Sequence, residues 1–292
     1  MKALNTILPA VFALTAVSCI SDDPDEPDAF VPHAIPVRVL EYHPAPGQFV
    51  NVLPACDNSS VTYADMLRRA ESDISQGYVV TLGALGGNIV FKLLEPVTNH
   101  PGVADICVYG NAYLTGLSQD GKTLSSSEPG IVEVMEDTNG NGLPDDGPWI
   151  ALRGEHWDDA RRVAVTYTTD EQGHILASVP GQETTDVSTG SWYHTQPFTP
   201  LWEGALRWDA FSTYMLPANG FLDSNGLYRM YAYDGYADSY PNNDTRANLN
   251  LDNATTPVSR IDFVRISTGV LQSNGPLGEC STEVGPIFAL HK

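Results

Sequence analysis

The chain has 292 residues, 42% of them hydrophobic, with 36 acidic against 15 basic side chains and a formal net charge of −21. So acidic a surface repels the phosphates of nucleic acid and anionic lipid, which excludes a nucleic-acid-binding role, while it tolerates hard cations. The apolar fraction is enough for a substantial core, and no Ser/Gly/Pro-rich linker breaks the chain beyond residue 36. One large domain over 36–292 is therefore expected, with two packed subdomains meeting near residue 180 as the alternative.

Residues 1–18 read as a signal peptide. Lys2 is a minimal positive region, and Leu4–Val17 is an apolar run too short to span a bilayer as a mature helix. The run ends Thr15-Ala16-Val17-Ser18-Cys19, which resembles a lipobox in which Cys19 is acylated and becomes the N-terminus; Ala16 departs from the commoner Leu. An ordinary signal peptide that happens to contain a cysteine is the alternative. Residues 19–35 then form an acidic, proline-rich tether, Ile20-Ser21-Asp22-Asp23-Pro24-Asp25-Glu26-Pro27-Asp28 at its start. Its place directly after the cysteine resembles the signal that sends Bacteroidota lipoproteins to the outer face of the outer membrane. The expected location is thus the cell surface, with the membrane reached through a lipid anchor only.

Beyond the tether, strands are expected over Val37–Tyr42, Asn88–Leu93, Gly130–Met135, Arg161–Tyr167, Leu227–Tyr233 and Ile261–Ile266. These are short β-branched or aromatic runs bounded by Gly, Asn, Asp and Pro. The spacing of Met66, Leu67, Ala70 and Ile74 predicts one helix from Thr62 to about Gln76, stopping before Gly77. The class this implies is all-β, a β-sandwich or jelly-roll-like domain with one short helix and long loops.

Asp137–Asp146 reads Asp-Thr-Asn-Gly-Asn-Gly-Leu-Pro-Asp-Asp. Side-chain oxygens recur at Asp137, Asn139 and Asn141, Gly142 permits a sharp turn, the Leu143 carbonyl offers another oxygen, and Asp145 follows. That spacing suits a calcium loop of the EF-hand or dockerin kind. Pro148 stands where an EF-hand has its bidentate Glu, so this is a half-loop, and the cofactor expected is a structural calcium ion. Without an ion the same residues make an Asn/Gly/Asp turn between strands. Asp234–Asp244 is also oxygen-rich but lacks the alternation, and reads as an ordinary polar loop.

With Cys19 acylated, Cys56, Cys107 and Cys280 remain. Cys107, in an apolar run, reads as a buried inert thiol. Cys56 and Cys280 lie in Gly/Pro/polar surroundings and are the expected disulfide pair. No zinc spacing occurs among the cysteines and seven histidines.

Glu128, Glu133, Asp137, Asp234, Asp238 and Asp262 supply carboxylates for a glycosidase, but the sequence does not pair them. Gly-x-Ser-x-Gly, His-Glu-x-x-His and phosphate-binding glycine loops are absent, so binding is expected rather than catalysis. Trp192, Tyr193, His194 and Trp202 concentrate aromatic faces near Thr, Ser and Gly and are the candidate ligand-binding residues for a glycan or another amphipathic small molecule. Tyr228, Tyr231, Tyr233, Tyr236 and Tyr240 form a second aromatic cluster, and Trp202, Tyr231 and Tyr233 have core packing as their other reading.

Leu40-Glu41-Tyr42-His43-Pro44-Ala45-Pro46-Gly47-Gln48-Phe49-Val50-Asn51 resembles the opening of a family of Bacteroidota cell-surface lipoproteins often labelled PKD-containing. Further blocks follow in the family's order: Leu85–Val90, Tyr109-Gly110-Asn111-Ala112-Tyr113, Ser127–Val132 running into the Asp137 loop, Tyr231–Asp238, Ile261–Val270 and Gly278–Val284. Two family tryptophans are replaced, one where the chain goes from Asp234 directly to Gly235 and one in Gly275-Pro276-Leu277-Gly278-Glu279-Cys280. The resemblance implies an accessory protein of TonB-dependent nutrient uptake, and some members are associated with cobalamin acquisition. The expected function is therefore capture of a nutrient ligand, cobalamin or a related corrinoid first, for hand-over to a TonB-dependent transporter. A glycan-binding lipoprotein is the second reading and a glycoside hydrolase the third.

Overall fold

The computed structural model describes residues 30–58, 60–188, 197–204 and 211–292, and Val31–Lys292 form one compact unit. Its centre is a five-stranded antiparallel sheet in the order Val37–His43, Asn88–Thr98, Arg260–Thr268, Gly130–Met135, Ile150–Ala151. Register is fixed where apolar side chains face one another, as in Val264 opposite both Phe91 and Val134. Gly130–Met135 is buried along its whole length, so both faces of the sheet are covered at its middle. Two four-stranded sheets and three two-stranded ones accompany it among the described residues. One four-stranded sheet runs His33–Ala34, Ile287–Ala289, Ile106–Val108, Asn248–Leu249, and the other Thr185–Asp186, Ile175–Ser178, Arg161–Thr169, Phe211–Met215.

The helix spans Tyr63–Ser75. Thr62 caps it: its hydroxyl accepts from Asp65 N while the Asp65 carboxylate accepts from Thr62 N at 3.0 Å. Gly77, at φ 86°, ends it. Met66, Ala70 and Ile74 face inward, and the polar face also has a task. The Glu71 carboxylate accepts from Val39 N at 3.0 Å and the Tyr63 hydroxyl from Tyr42 N at 3.1 Å. These are donors of the sheet's edge strand, so the helix closes an edge that would otherwise recruit another chain. Thr62→Ala is expected to lower stability by about 1 kcal/mol, read by denaturant unfolding.

The strand expected to stop at Leu93 continues to Thr98 through Pro96. Its pairing with Arg260–Thr268 skips between Ile261 and Phe263, and the bulge takes up the residue that cannot donate. The strand expected over Leu227–Tyr233 is shorter. Tyr228–Met230 pairs with Gly220–Leu222, and Tyr231 adds a single bridge to Leu124. Tyr231 N then donates to the Asn219 carbonyl and Tyr233 N to the Ser239 hydroxyl, turning the chain inward. Tyr233, Tyr236 and Tyr240 are core residues.

The expected Cys56–Cys280 disulfide is not formed. Cys56, Cys107 and Cys280 are all buried free thiols. Cys56 donates to the Asn58 carbonyl, while Cys280 packs in a different cluster against Ile131, Tyr233 and Val270. The polar sequence around each conceals 1% exposure. Burial pushes the Cys107 thiol up to about 12, which fits an inert strand residue.

Candidate functional site

Cys19 and Trp192, Tyr193 and His194 lie outside the described residues. Trp202 does not form a ligand platform. It is 1% exposed and stacks on Tyr42, with ring centroids 5.9 Å apart. Asn51 holds this segment inside, donating to the carbonyls of Pro197 and Thr199 and accepting from Leu201 N at 2.9 Å.

Asp137–Asp146 connects two paired strands, Gly130–Met135 and Ile150–Ala151. It is anchored at its base, where Asp137 N donates to the Asp262 carboxylate at 3.0 Å; Asp262 is also held by Arg260. Asp137 Oδ2 accepts from Gly142 N at 2.9 Å, and the left-handed Gly142 (φ 74°) makes this closure possible. Asn139 and Asn141 each accept from the backbone two residues on and turn their amide N–H groups to Asp145 at 3.1 Å. The Leu143 carbonyl accepts from Asp145 N. The spacing thus does bring Asp137, Asn139, Asn141, Leu143 and Asp145 into one small loop. Asp146, which the spacing did not single out, closes it. Its Oδ1 accepts from Thr138 Oγ1 and Asn139 N, while its buried Oδ2 and Asp137 Oδ1 accept nothing.

A polar cleft of about 320 Å³ lies where Leu152–Glu155, Asp234–Gly235 and Arg246–Asn253 meet. Gly154 and Gly235 touch backbone to backbone there, and side chains at either position would collide with the other segment. Arg246 is fixed by Asp244 at 2.6 Å and by Thr123 at 2.9 Å, over the Tyr240 ring. Arg153, Glu155, Asp234 and Asn250 add charge and amide groups to the rim.

The densest constellation is interior. Glu128, Asp238 and Glu283 bring carboxylate oxygens within 4.8 Å of one another. Asp238, in the left-handed conformation at φ 53°, accepts from Asn111 N at 2.8 Å, Ala112 N at 3.0 Å and Glu283 N at 2.9 Å. Gly110 is required beside it, because a Cβ there would overlap the Asp238 carboxylate. Glu128 accepts from Ser281 N at 2.9 Å, and Glu283 Oε2 from Asn111 Nδ2 at 3.2 Å. Burial, then mutual repulsion, raises the proton affinity of the cluster. Glu128 is pushed up to about 8, Glu283 well above the ordinary range, and Asp238 to about 7 chiefly by burial. Glu279, nearby and buried, is pushed up to about 7. Of the carboxylates singled out in the sequence, Glu128 and Asp238 meet here. Glu133 pairs with Arg265, Asp262 with Arg260, and Asp234 lines the cleft. Glu283 carried no sequence signal beyond its place in the Gly278–Val284 block. Asp234–Asp244 does not converge on one point, since Asp238 goes inward and Asp244 caps Thr245–Ala247.

The chain matches no protein-family model and no curated protein. Among the described residues no helix is long and apolar enough to cross a membrane.

Proposed function

We propose that this protein is an outer-membrane surface lipoprotein, anchored through Cys19, that captures a small nutrient in the Leu152–Asn253 cleft. The observation carrying the reading is the cleft itself, preorganised by clamped Arg246 and rimmed by amide and charged groups. Such a rim pairs with hydroxyl- or amide-rich ligands. A volume of about 320 Å³ stands at the small end of the roughly 300–1,000 Å³ of small-molecule sites. It therefore suits a saccharide ring held whole, or a corrinoid held only by its amide-bearing edge. Hand-over to a TonB-dependent transporter rests on the family resemblance. Calorimetric titration with cyanocobalamin and then with an oligosaccharide panel tests the reading. Binding is expected to weaken about tenfold or more in Arg153→Ala, an exposed rim residue whose loss leaves the fold intact. No heat with either ligand class would remove this cleft as the site. Glu155 and Asp234 share the cleft, so hydrolysis is the further reading. Release of reducing ends, lost in Glu155→Gln, would establish it.

The Asp137 loop acts in this reading as a calcium brace on the central sheet. Support comes from the gathering of Asp137, Asn139, Asn141, Leu143 and Asp145 in one small loop and from the unpartnered Asp137 Oδ1 and Asp146 Oδ2. Calcium at about 100 times its Kd is expected to stabilise the fold by about 2.7 kcal/mol. A chelator should reverse this in a thermal melt, and Asp137→Ala should remove the loop's share of the response. A calcium-loaded sample whose Tm ignores chelator would sink the brace.

A further inference from the structure

Beyond the cleft and the loop, the geometry points to a second, interior cation site formed by Glu128, Asp238 and Glu283, which takes a calcium-like divalent ion. The three carboxylates come from segments far apart in sequence, yet their oxygens lie within 4.8 Å. Among the described residues none of the three is in an ion pair, although Asp238 and Glu283 are buried and Glu128 is half-buried. Asp238 and Glu283 are each 2% exposed. A group of like charges so placed needs either protons or a cation.

The oxygen that speaks for a cation is Glu283 Oε1. It is buried and has no hydrogen-bond partner, whereas Oε2 of the same carboxylate is held by Asn111. The nearby Thr81 hydroxyl is held by Ser281 at 2.7 Å and also reaches the Glu283 carboxylate, which faces Glu128 across the cluster. The remaining bonds orient the ligand set from behind. Backbone N–H groups of Asn111, Ala112 and Glu283 fix Asp238, and Ser281 N fixes Glu128. Outer contacts of this kind hold metal ligands in place.

The donor set selects the ion. Only carboxylate oxygens converge, which suits a hard cation. Magnesium gives up its waters reluctantly and is seldom caged by protein alone, whereas calcium accepts six to eight oxygens in flexible geometry. An interior site therefore favours calcium. Cys280, the adjacent thiol, has its proton affinity raised by burial and by these carboxylates, and so does not offer the thiolate that zinc prefers.

The test uses the full chain carrying Asp137→Ala, which removes the loop as a competing site. The protein is stripped with chelator, reloaded with calcium near pH 8, gel-filtered and assayed for bound metal. About one calcium per chain is expected, a stoichiometry set by one set of three carboxylates. Adding Glu283→Gln is expected to weaken retention by at least about tenfold. Equal retention with and without Glu283→Gln overturns the site, as does an Asp137→Ala protein that retains none. Should Glu283→Gln fail to fold, the Asp137→Ala protein alone decides: its Tm either rises with calcium at pH 8 or the site does not exist.

Discussion

In chelator, the folded protein is expected to lose stability as the pH rises from about 5 to 8, and saturating calcium is expected to suppress the loss. Glu128, Asp238, Glu279 and Glu283 all bind their protons more tightly in the fold than carboxylates do in an open chain. Between the ordinary carboxylate range and about pH 8 the folded state thus holds more protons than the unfolded state. Stability then falls with pH, because the slope follows the protons bound by the unfolded state minus those bound by the folded state. The contribution is complete below the ordinary carboxylate range and is lost as pH climbs through 7 and 8. For the cluster taken together the loss is on the order of several kcal/mol, or roughly 10 °C in Tm.

Other groups leave this window visible. Asp65, Asp120, Asp170, Asp223 and Asp244 have lowered proton affinities, so their contribution disappears only under stronger acid. His43, whose burial lowers its affinity, gains stability for the fold as pH rises towards 6.5 and opposes the trend in part. Cys280, Tyr42 and Tyr167, further titratable neighbours, have their proton affinities raised well above their usual ranges. Thermal melts across pH 5–8 with and without calcium provide the measurement. A Tm that is flat in chelator would show that the carboxylates ionise without cost, against both their burial and their proximity.

This cluster also marks where sequence reasoning stops. The helix is legible because its signals are local: Thr62 and Asp65 form a capping pair, and Gly77 takes the left-handed turn. Gly130–Met135 is legible because six successive residues fit one buried strand. The Asp137 loop is legible because its oxygens are neighbours in sequence. Glu128 and Asp238 stand out only as acidic residues among many, since their meeting depends on how distant segments fold together. Asp238 also needs Gly110 across from it, a requirement of space that no spacing rule contains. Likewise the polar neighbourhoods of Cys56 and Cys280 suggest a surface disulfide, while tertiary packing buries each thiol separately. Pro96 would end a strand by local rules, but a bulge between distant partners absorbs it.

Arg265→Ala is expected to cost about 3–5 kcal/mol, because it strands a buried carboxylate in the middle of the central sheet. Arg265 lies directly opposite Glu133 in the strand pairing and holds its Oε2 through two nitrogens at 2.8 and 2.6 Å. Glu133 is 2% exposed and its Oε1 has no partner at all, so loss of the guanidinium leaves that charge without compensation. The same guanidinium sits over the Trp149 ring at 4.8 Å, on the return limb of the hairpin that carries the Asp137 loop. The substitution should therefore loosen the loop as well as the sheet, and its calcium response should weaken together with stability. Replacing both partners by leucine removes the charge and its counter-charge at once, and is expected to restore most of the loss, since a hydrophobic pair of similar volume does not pay for desolvation. Urea unfolding of Arg265→Leu, Glu133→Leu and the double leucine variant forms a closed cycle. A cost below about 1 kcal/mol for Arg265→Ala would mean that water reaches Glu133, and that the sheet is held by its apolar residues alone.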